Sequence, residues 1–307
     1  MRFRRSAVAL AALALAASPA SLLAQSPDSV TAYTAAECPP CAEWNAPQRP
    51  FRIHGNTWYV GTGGLSAILI TSPRGHVLID GGLPESAPLI ADNIRALGFR
   101  LDDVKLIANS HAHYDHAGGI AMLQRWSGAE VAALPWSAAV MRTGLTLPED
   151  PQQAVALPYP AVARVREIAP GDTLRVGPLA VVAHRTAGHT PSGTTWSWRS
   201  CEDGTCADIV YADSQTPVSA DEFLFTRSAA YPDGIRDFEQ GFALLERLSC
   251  DILLTPHPGF TQLFERLTSR EGGAADAFMK PPACDELVAS SRARLARRIA
   301  DEQKRGG

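Results

Sequence analysis

No basic excess marks this 307-residue sequence: 28 Lys and Arg stand against 32 Asp and Glu, a formal net charge of −4. A nucleic-acid binder normally carries the opposite surplus, so that class is set aside. The apolar run from Ala7 to Ala17 is shorter than the roughly 20 residues that a membrane-crossing helix needs. There is no low-complexity or collagen-like tract, which excludes disorder and fibres as global readings. Neither a Gly-x-Ser-x-Gly elbow nor a Ser-x-x-Lys with its partner motifs occurs, which removes the common serine-nucleophile hydrolases. No Pro/Gly/Ser-rich linker divides residues 51–307, so one layered α/β domain fits better than two. What remains is an ordinary globular composition, 46% hydrophobic, 20% charged and 7% aromatic, with enough apolar content for a sizeable core.

The first 24 residues read as a targeting segment. Arg2, Arg4 and Arg5 precede the apolar run, and Ser18-Pro19-Ala20-Ser21-Leu22-Leu23-Ala24 supplies small residues, the three-part layout of a secretory signal peptide. Cleavage is expected after Ala24, with Ala20 as the alternative; an uncleaved anchor is the competing reading. No Cys sits at that point, so no lipid attachment is expected. Because the segment holds three Arg and no acid, its loss takes the charge from −4 to −7. A periplasmic or secreted protein follows, free of the membrane, with an N-terminal tail over 25–50 and a single domain over 51–307.

Export changes how the six cysteines read. In an oxidising compartment an even number suggests disulfides, but six allow fifteen pairings. Cys201 and Cys206 flank the turn-like Glu202-Asp203-Gly204-Thr205. Pairing Cys250 with Cys284 would staple the last helix to the body. Cys38-Pro39-Pro40-Cys41 invites a redox or metal reading, but its Pro-rich tail is no strand-to-helix junction. A structural disulfide or an unpaired cysteine is the plainer account there.

The rest alternates strands and helices. Ala67–Ile70 and His76–Asp80 form a hairpin pattern around Ser72-Pro73-Arg74-Gly75. Leu89, Ile90, Ile94 and Leu97 recur at helical spacing up to Gly98. Val104–Ala108 reads as a buried strand followed by a helix over Gly118–Trp126. Further strands are expected at Leu179–Ala183, Thr194–Trp198, Ile209–Tyr211 and Ile252–Leu254. Phe238, Phe242, Leu245 and Leu248 mark one amphipathic helix, and Val288, Leu295 and Ile299 line a terminal one.

The chemistry concentrates in three places. His111-Ala112-His113-Tyr114-Asp115-His116 sets four potential ligands within six residues, directly after a strand. Such residues are costly to bury without partners. His111 and His113 alternate, so an extended segment points both the same way. Asp115 and His116 follow where the chain turns into a helix and can face a second position. Imidazole and carboxylate together suit zinc; an exposed His-rich loop is the bland competitor. Gly188-His189-Thr190-Pro191-Ser192-Gly193 and Pro256-His257-Pro258 are weak signals alone. Together, all three follow short apolar strands, where an α/β sheet puts its site. Five His and one Asp suffice for two zinc ions, each with an open position. His54, His76 and His184 read as structural or surface residues.

The order His-x-His-x-Asp-His, then Gly-His-Thr-Pro, then a late His resembles the metallo-β-lactamase superfamily, over most of the chain from Phe51 to the terminal helix. Gly55-Asn56-Thr57, Asp80-Gly81-Gly82, Tyr211-Ala212-Asp213-Ser214 and Leu254-Thr255-Pro256-His257-Pro258 resemble its subclass B3. So do the Cys250/Cys284 spacing and the Cys201/Cys206 pair. The resemblance implies a four-layer αββα sandwich of two similar halves with the metals at one edge. It implies His111, His113 and His189 on a first zinc and Asp115, His116 and His257 on a second. Ser214 would stand where other subclasses carry a cysteine ligand, and Thr216 near the substrate carboxylate. Asp80 would hold a loop rather than a metal. Gly63 stands where some members have a cysteine that pairs with the N-terminal one, so Cys38 lacks that partner and a bond to Cys41 is left open. The Pro-rich loop Leu145–Tyr159 offers no contact residue.

The implied activity is zinc-dependent hydrolysis of the β-lactam amide bond of penicillins, cephalosporins and carbapenems, hence antibiotic resistance. A metal-held hydroxide would attack the carbonyl, with Asp115 orienting it. A monomer acting on a small molecule is expected. Three rivals stand beside this reading. A lactonase or thioesterase of the same superfamily would use a bridging Asp, for which Asp213 is one residue of register from Ser214. An iron oxidoreductase would need partner domains that the sequence does not show. A non-enzymatic zinc-binding protein would hold metal and hydrolyse nothing.

Overall fold

Strands come from the short apolar runs, and Pro and Gly punctuate them into two sheets in the computed structural model, which describes residues 32–305. The expected signal peptide lies outside the described residues. The first sheet takes its seven strands in chain order: β1 (Phe51–His54), β2 (Thr57–Tyr59), β3 (Ile68–Ile70), β4 (His76–Ile79), β5 (Val104–Ala108), β6 (Glu130–Ala133) and β7 (Val165–Glu167). Pairing is antiparallel from β1 to β4 and parallel from β4 to β7. The second sheet has β8 (Thr173–Val176), β9 (Leu179–Arg185), β10 (Thr194–Glu202), β11 (Thr205–Tyr211) and β12 (Ile252–Leu254), in the order β12-β11-β10-β9-β8. Only β11 and β12 run parallel in it.

Parallel neighbours need crossovers, and helices supply them. After α1 (Cys41–Trp44) in the N-terminal tail come α2 (Ser86–Ala96), α3 (Tyr114–Ala117), α4 (Ile120–Ser127) and α5 (Pro135–Thr143). The second half has α6 (Gly234–Leu245), α7 (Leu263–Glu271) and α8 (Ala283–Arg305). Ile90, Ile94, Leu123 and Met141 cover one face of the first sheet, against Leu69, Leu78, Ile107 and Val131. Phe238, Phe242, Leu245, Leu287 and Val288 cover the outer face of the second, against Val210 and Leu253. Between the sheets lie Tyr59, Ile68, Ile79, Leu106, Val181, Trp196, Ile209 and Leu254. The result is the expected αββα sandwich. Among the described residues no helix is long and apolar enough to cross a membrane.

The expected strands and the terminal helix are found where the apolar runs placed them, with differences of local cause. The helix expected over Gly118–Trp126 is α4, Ile120–Ser127, and Gly118-Gly119 separate it from the one-turn helix α3 before it. A Cβ on Gly119 would stand 2.3 Å from the Gly81 carbonyl oxygen, so the chain must pass that turn without a side chain. Leu248 lies beyond the end of α6. Strands β1, β2, β6, β7 and β8 and helices α1, α3, α5 and α7 carried no sequence expectation; β6 and β7 are short, and β6 ends in two alanines with little β propensity.

Three disulfides close: Cys38–Cys41, Cys201–Cys206 and Cys250–Cys284. Cys201 faces Cys206 across the β10–β11 hairpin, whose turn is Asp203-Gly204 with positive φ at both positions. His54 packs at this hairpin, His76 against Phe99, and His184 bonds Ser197 Oγ at 2.8 Å, all away from the three His motifs.

Cys250–Cys284 ties α8 to the segment before β12 over a separation of 34 residues. The double change Cys250→Ser with Cys284→Ser is expected to lower stability by about 3–4 kcal/mol from loop-closure entropy, read from the urea midpoint. A loss well under 1 kcal/mol would show that the packing of Leu287, Val288 and Leu295 alone holds the helix.

Candidate metal centre

The loops that leave β4, β5, β9, β11 and β12 meet at one edge of the sandwich, and Asp80 is where they are joined. It sits directly after β4 with φ of 63°, wholly buried. Its carboxylate accepts from Ser110 N (2.7 Å), Ser110 Oγ (2.6 Å), Asn109 Nδ2 (3.1 Å) and Tyr211 OH (2.8 Å). One side chain thus binds the end of β4, the segment leading into the His motif and the end of β11. Thr194 N to Ser110 O (2.7 Å) and Trp196 Nε1 to Asn109 O (3.1 Å) add two bonds between the sheets. Burial pushes the Asp80 carboxyl up, against the pull of His116 and of its hydroxyl and amide donors.

On this frame the six expected ligand residues converge. Ligand atoms of His111, His113 and His189 lie within 4.8 Å of one another, and so do those of His111, Asp115 and His116. His257 arrives from the loop after β12, its Nε2 3.3 Å from Asp115 Oδ2, while His116 Nε2 is 3.2 Å from the same oxygen. The ring centres of His111 and His116 are 4.4 Å apart, and those of His116 and His257 4.9 Å.

Each of four rings is oriented through one nitrogen by an acceptor that can take only an N–H. His111 Nδ1 donates to Asp213 Oδ1 (2.7 Å), His113 Nε2 to Asp150 Oδ2 (2.9 Å), His189 Nδ1 to the Thr216 carbonyl (2.9 Å) and His257 Nδ1 to the Gly64 carbonyl (3.2 Å). The other nitrogen of each ring is left with its lone pair, the form in which imidazole binds metal. Asp213 reaches His111 because residue 193 is glycine: a Cβ there would stand 2.1 Å from Asp213 Oδ2. Two buried nitrogens, His111 Nε2 and His116 Nδ1, have no hydrogen-bond partner among the described residues. Buried polar atoms are normally paired. The donor set therefore fits a borderline-soft divalent ion such as zinc, bound by imidazole and carboxylate.

The electrostatics agree at His111, His189 and Asp115. Burial first, then the neighbouring His116, His113 and His189, hold His111 well below the usual imidazole range. Burial and His113 bring His189 down to about 3. At His113 the Asp150 carboxylate outweighs burial and holds the ring up. Burial would raise Asp115, but His116 and His257 overcome it and keep the carboxyl ionised well below its usual value.

Above these groups opens a cleft of about 520 Å³, lined by His113, Asp115, His189, Ser214, Thr216 and His257. Its apolar wall is Trp44, Val218 and Phe260, the last two 50% and 46% exposed. Trp44 packs on the His257 ring with centres 5.1 Å apart. The register at 213–214 is thereby resolved. Asp213 lies behind His111 and Ser214 lines the cleft. Sequence reasoning brought together every residue of the cluster but missed Asp150, Gln152, Trp44, Val218 and Phe260. Asp150 sits in the Pro-rich loop and meets His113 across 37 positions, with no local pattern to mark it.

Comparison with known proteins agrees with this geometry. The family model described as the metallo-beta-lactamase superfamily matches residues 60–261. The solved structure of the Rm3 metallo-beta-lactamase is 51% identical, with a TM-score of 0.85, over 87% of this chain and 99% of that one. MEM-A1, a subclass B3 metallo-beta-lactamase isolated from a soil metagenome library, is 46% identical at a TM-score of 0.84, over 85% and 99%. SMB-1, solved with mercaptoacetic acid, is 44% identical at 0.81, over 84% and 99%.

Asp80 carries the frame, so Asp80→Ala is expected to cost about 2–4 kcal/mol by leaving buried donors on Ser110 and Tyr211 unpaired. Chemical denaturation measures this. A change below about 0.5 kcal/mol would mean that the inter-sheet bonds of Thr194 and Trp196 are sufficient by themselves.

Proposed function

The chain belongs to the metallo-β-lactamase superfamily, among neighbours of subclass B3, and from that membership we propose that it hydrolyses the β-lactam amide bond with two zinc ions. Penicillins, cephalosporins and carbapenems are the proposed substrates and antibiotic resistance the proposed role. Export to the periplasm, proposed from residues 1–24, would place the enzyme where these drugs arrive. The observation that carries the reading is the buried, unpartnered His111 Nε2 in a cluster of five imidazoles and one carboxylate beneath an open cleft.

His111, His113 and His189 would hold the first zinc, and Asp115, His116 and His257 the second. Zinc bound there supplies Lewis acidity, which brings the pKa of water to about 7 and polarises a carbonyl, so no Ser or Cys nucleophile is required. Asp115, 6% exposed at the floor of the cleft, is placed to accept a hydrogen bond from the attacking water and so to orient it. Ser214 and Thr216 line the same cleft with hydroxyls that can donate to the substrate carboxylate. Trp44, Val218 and Phe260 give the apolar substituents a dry wall. The lactonase or thioesterase reading needs Asp213 between the metals. Its carboxylate is instead committed to His111 Nδ1 at 2.7 Å, which counts against that rival.

The test is carbapenem hydrolysis followed by ultraviolet absorbance, with the protein as isolated, with chelator, and with zinc restored. Turnover that chelator abolishes and zinc restores is the expected result. A folded protein that holds about two zincs yet turns over none of the three drug classes would overturn the reading and move attention to lactones and thioesters.

A further inference from the structure

The loop Leu145–Tyr159, which the sequence left without a role, is bonded to the site at its middle and at its far end. Asp150 is 2% exposed. Its Oδ2 takes His113 Nε2 at 2.9 Å and Thr146 Oγ1 at 2.7 Å; its Oδ1 takes Gln152 N at 2.8 Å and a longer 3.1 Å contact from the same His113 nitrogen. Two residues on, Gln152 Nε2 stands 3.3 Å from His189 Nε2. At the far end Tyr159 OH donates to the carbonyl of Ala112, the residue between His111 and His113, at 2.9 Å. The Pro151 carbonyl accepts from Ala220 N, which ties the loop to the segment after Thr216.

We propose that Asp150 is a positioning residue that makes the cleft loop and the first metal site one mechanical unit. Its carboxylate fixes the tautomer of His113, with Nδ1 turned toward the metal, while the loop's own Thr146 hydroxyl and Gln152 amide fix the carboxylate. The inference rests on the reading of His113 as a ligand. His111 is oriented by the corresponding device, but from Asp213, two residues past β11 and inside the frame. His113 is oriented by a carboxylate far out on a connecting loop, 37 positions away in the chain. A buried carboxylate is costly unless fully bonded, and here the cost is met by three donors that keep this loop in one arrangement. Displacement of the loop therefore loosens His113 as well as reshaping the cleft, so that occupancy of the first site and order in the loop rise and fall together.

The test is competition for zinc against a chelator of known affinity, with metal counted per chain, on the full-length mature protein. Asp150→Asn keeps the shape and presents an amide donor beside His113. It is expected to weaken one of the two bound zincs by about 10–100-fold and leave the other unchanged. Thr146→Val, which removes one bond to Asp150, is expected to shift the same zinc in the same direction by a few-fold. Glu149→Gln, on the neighbouring side chain that reaches Trp136, is expected to change nothing. Cobalt-substituted protein supplies a second readout, because only the first-site absorption should change in Asp150→Asn. Both Asp150→Asn and Thr146→Val within twofold of wild type would overturn the proposal. If Asp150→Asn does not fold, Thr146→Val decides alone. His113→Ala separates the two levels: if it keeps both zincs the ligand reading itself fails, and if it loses one while the loop variants lose none, only the positioning role fails.

Discussion

A single buried carboxylate, Asp80, holds the two sheets in register at the edge where the histidines meet. Its four donors come from both sheets, and the segment it grips runs directly into His111. The conformation at Asp80 itself, with positive φ on a residue with a Cβ, is unfavourable. It persists because the surrounding bonds over-determine it. Every ligand position downstream is measured from that joint. His111 and His113 extend from it along the β5 loop, Asp115 and His116 from the first turn of α3, while His189 and His257 arrive from the second sheet.

Around that joint four of the five imidazoles are bonded through one nitrogen to acceptors from three parts of the chain. Asp213 comes from the end of β11, the Thr216 carbonyl from just beyond it, Asp150 from a long loop, and the Gly64 carbonyl from the β2–β3 connection. Four supports fix four tautomers, and burial keeps His111 and His189 neutral. Preorganisation of this kind lets polar groups act without reorganising at the moment of reaction. The N-terminal tail adds the outer side of the cleft. Trp44 lies on His257, and Tyr33 meets the Tyr114 ring edge-on at 5.4 Å, next to Asp115.

The site was more legible in the sequence than the fold around it. Density betrayed it: His, His, Asp and His within six residues cannot be explained by packing, and two further His-bearing turns followed strands. The layered α/β class was readable from alternating apolar runs, whereas β6, β7 and α5 were not. Ala-Ala at the end of β6 gains its strand character from parallel neighbours on both sides, not from its own propensity. Asp150 was invisible for the opposite reason. A carboxylate in a Pro-rich loop is the commonest of surface residues, and only tertiary contact with His113 distinguishes it. The alternative at Asp213 was a question of which face an extended residue takes, and the structure answers it through His111.

The placement of ligands across both halves has a thermodynamic consequence. Residues from 111 to 257 must be brought together before the donor set exists, so the unfolded chain offers at best the local His111–His116 segment. A metal that binds the assembled set then stabilises the folded state by RT ln(1 + [L]/Kd), less whatever the unfolded chain binds. The fold does not depend on that contribution for its frame, since the bonds at Asp80 and the supports at Asp213, Asp150, Thr216 and Gly64 are all between protein groups. What metal binding adds is a partner for His111 Nε2; the other unpartnered buried nitrogen, His116 Nδ1, belongs to a ring that meets Asp115 through Nε2. Their cost is carried by the interior of a sandwich whose apolar layers are continuous on both sides of each sheet. A reactive edge of this kind is affordable only to a core large enough to tolerate unsatisfied polar groups at one rim.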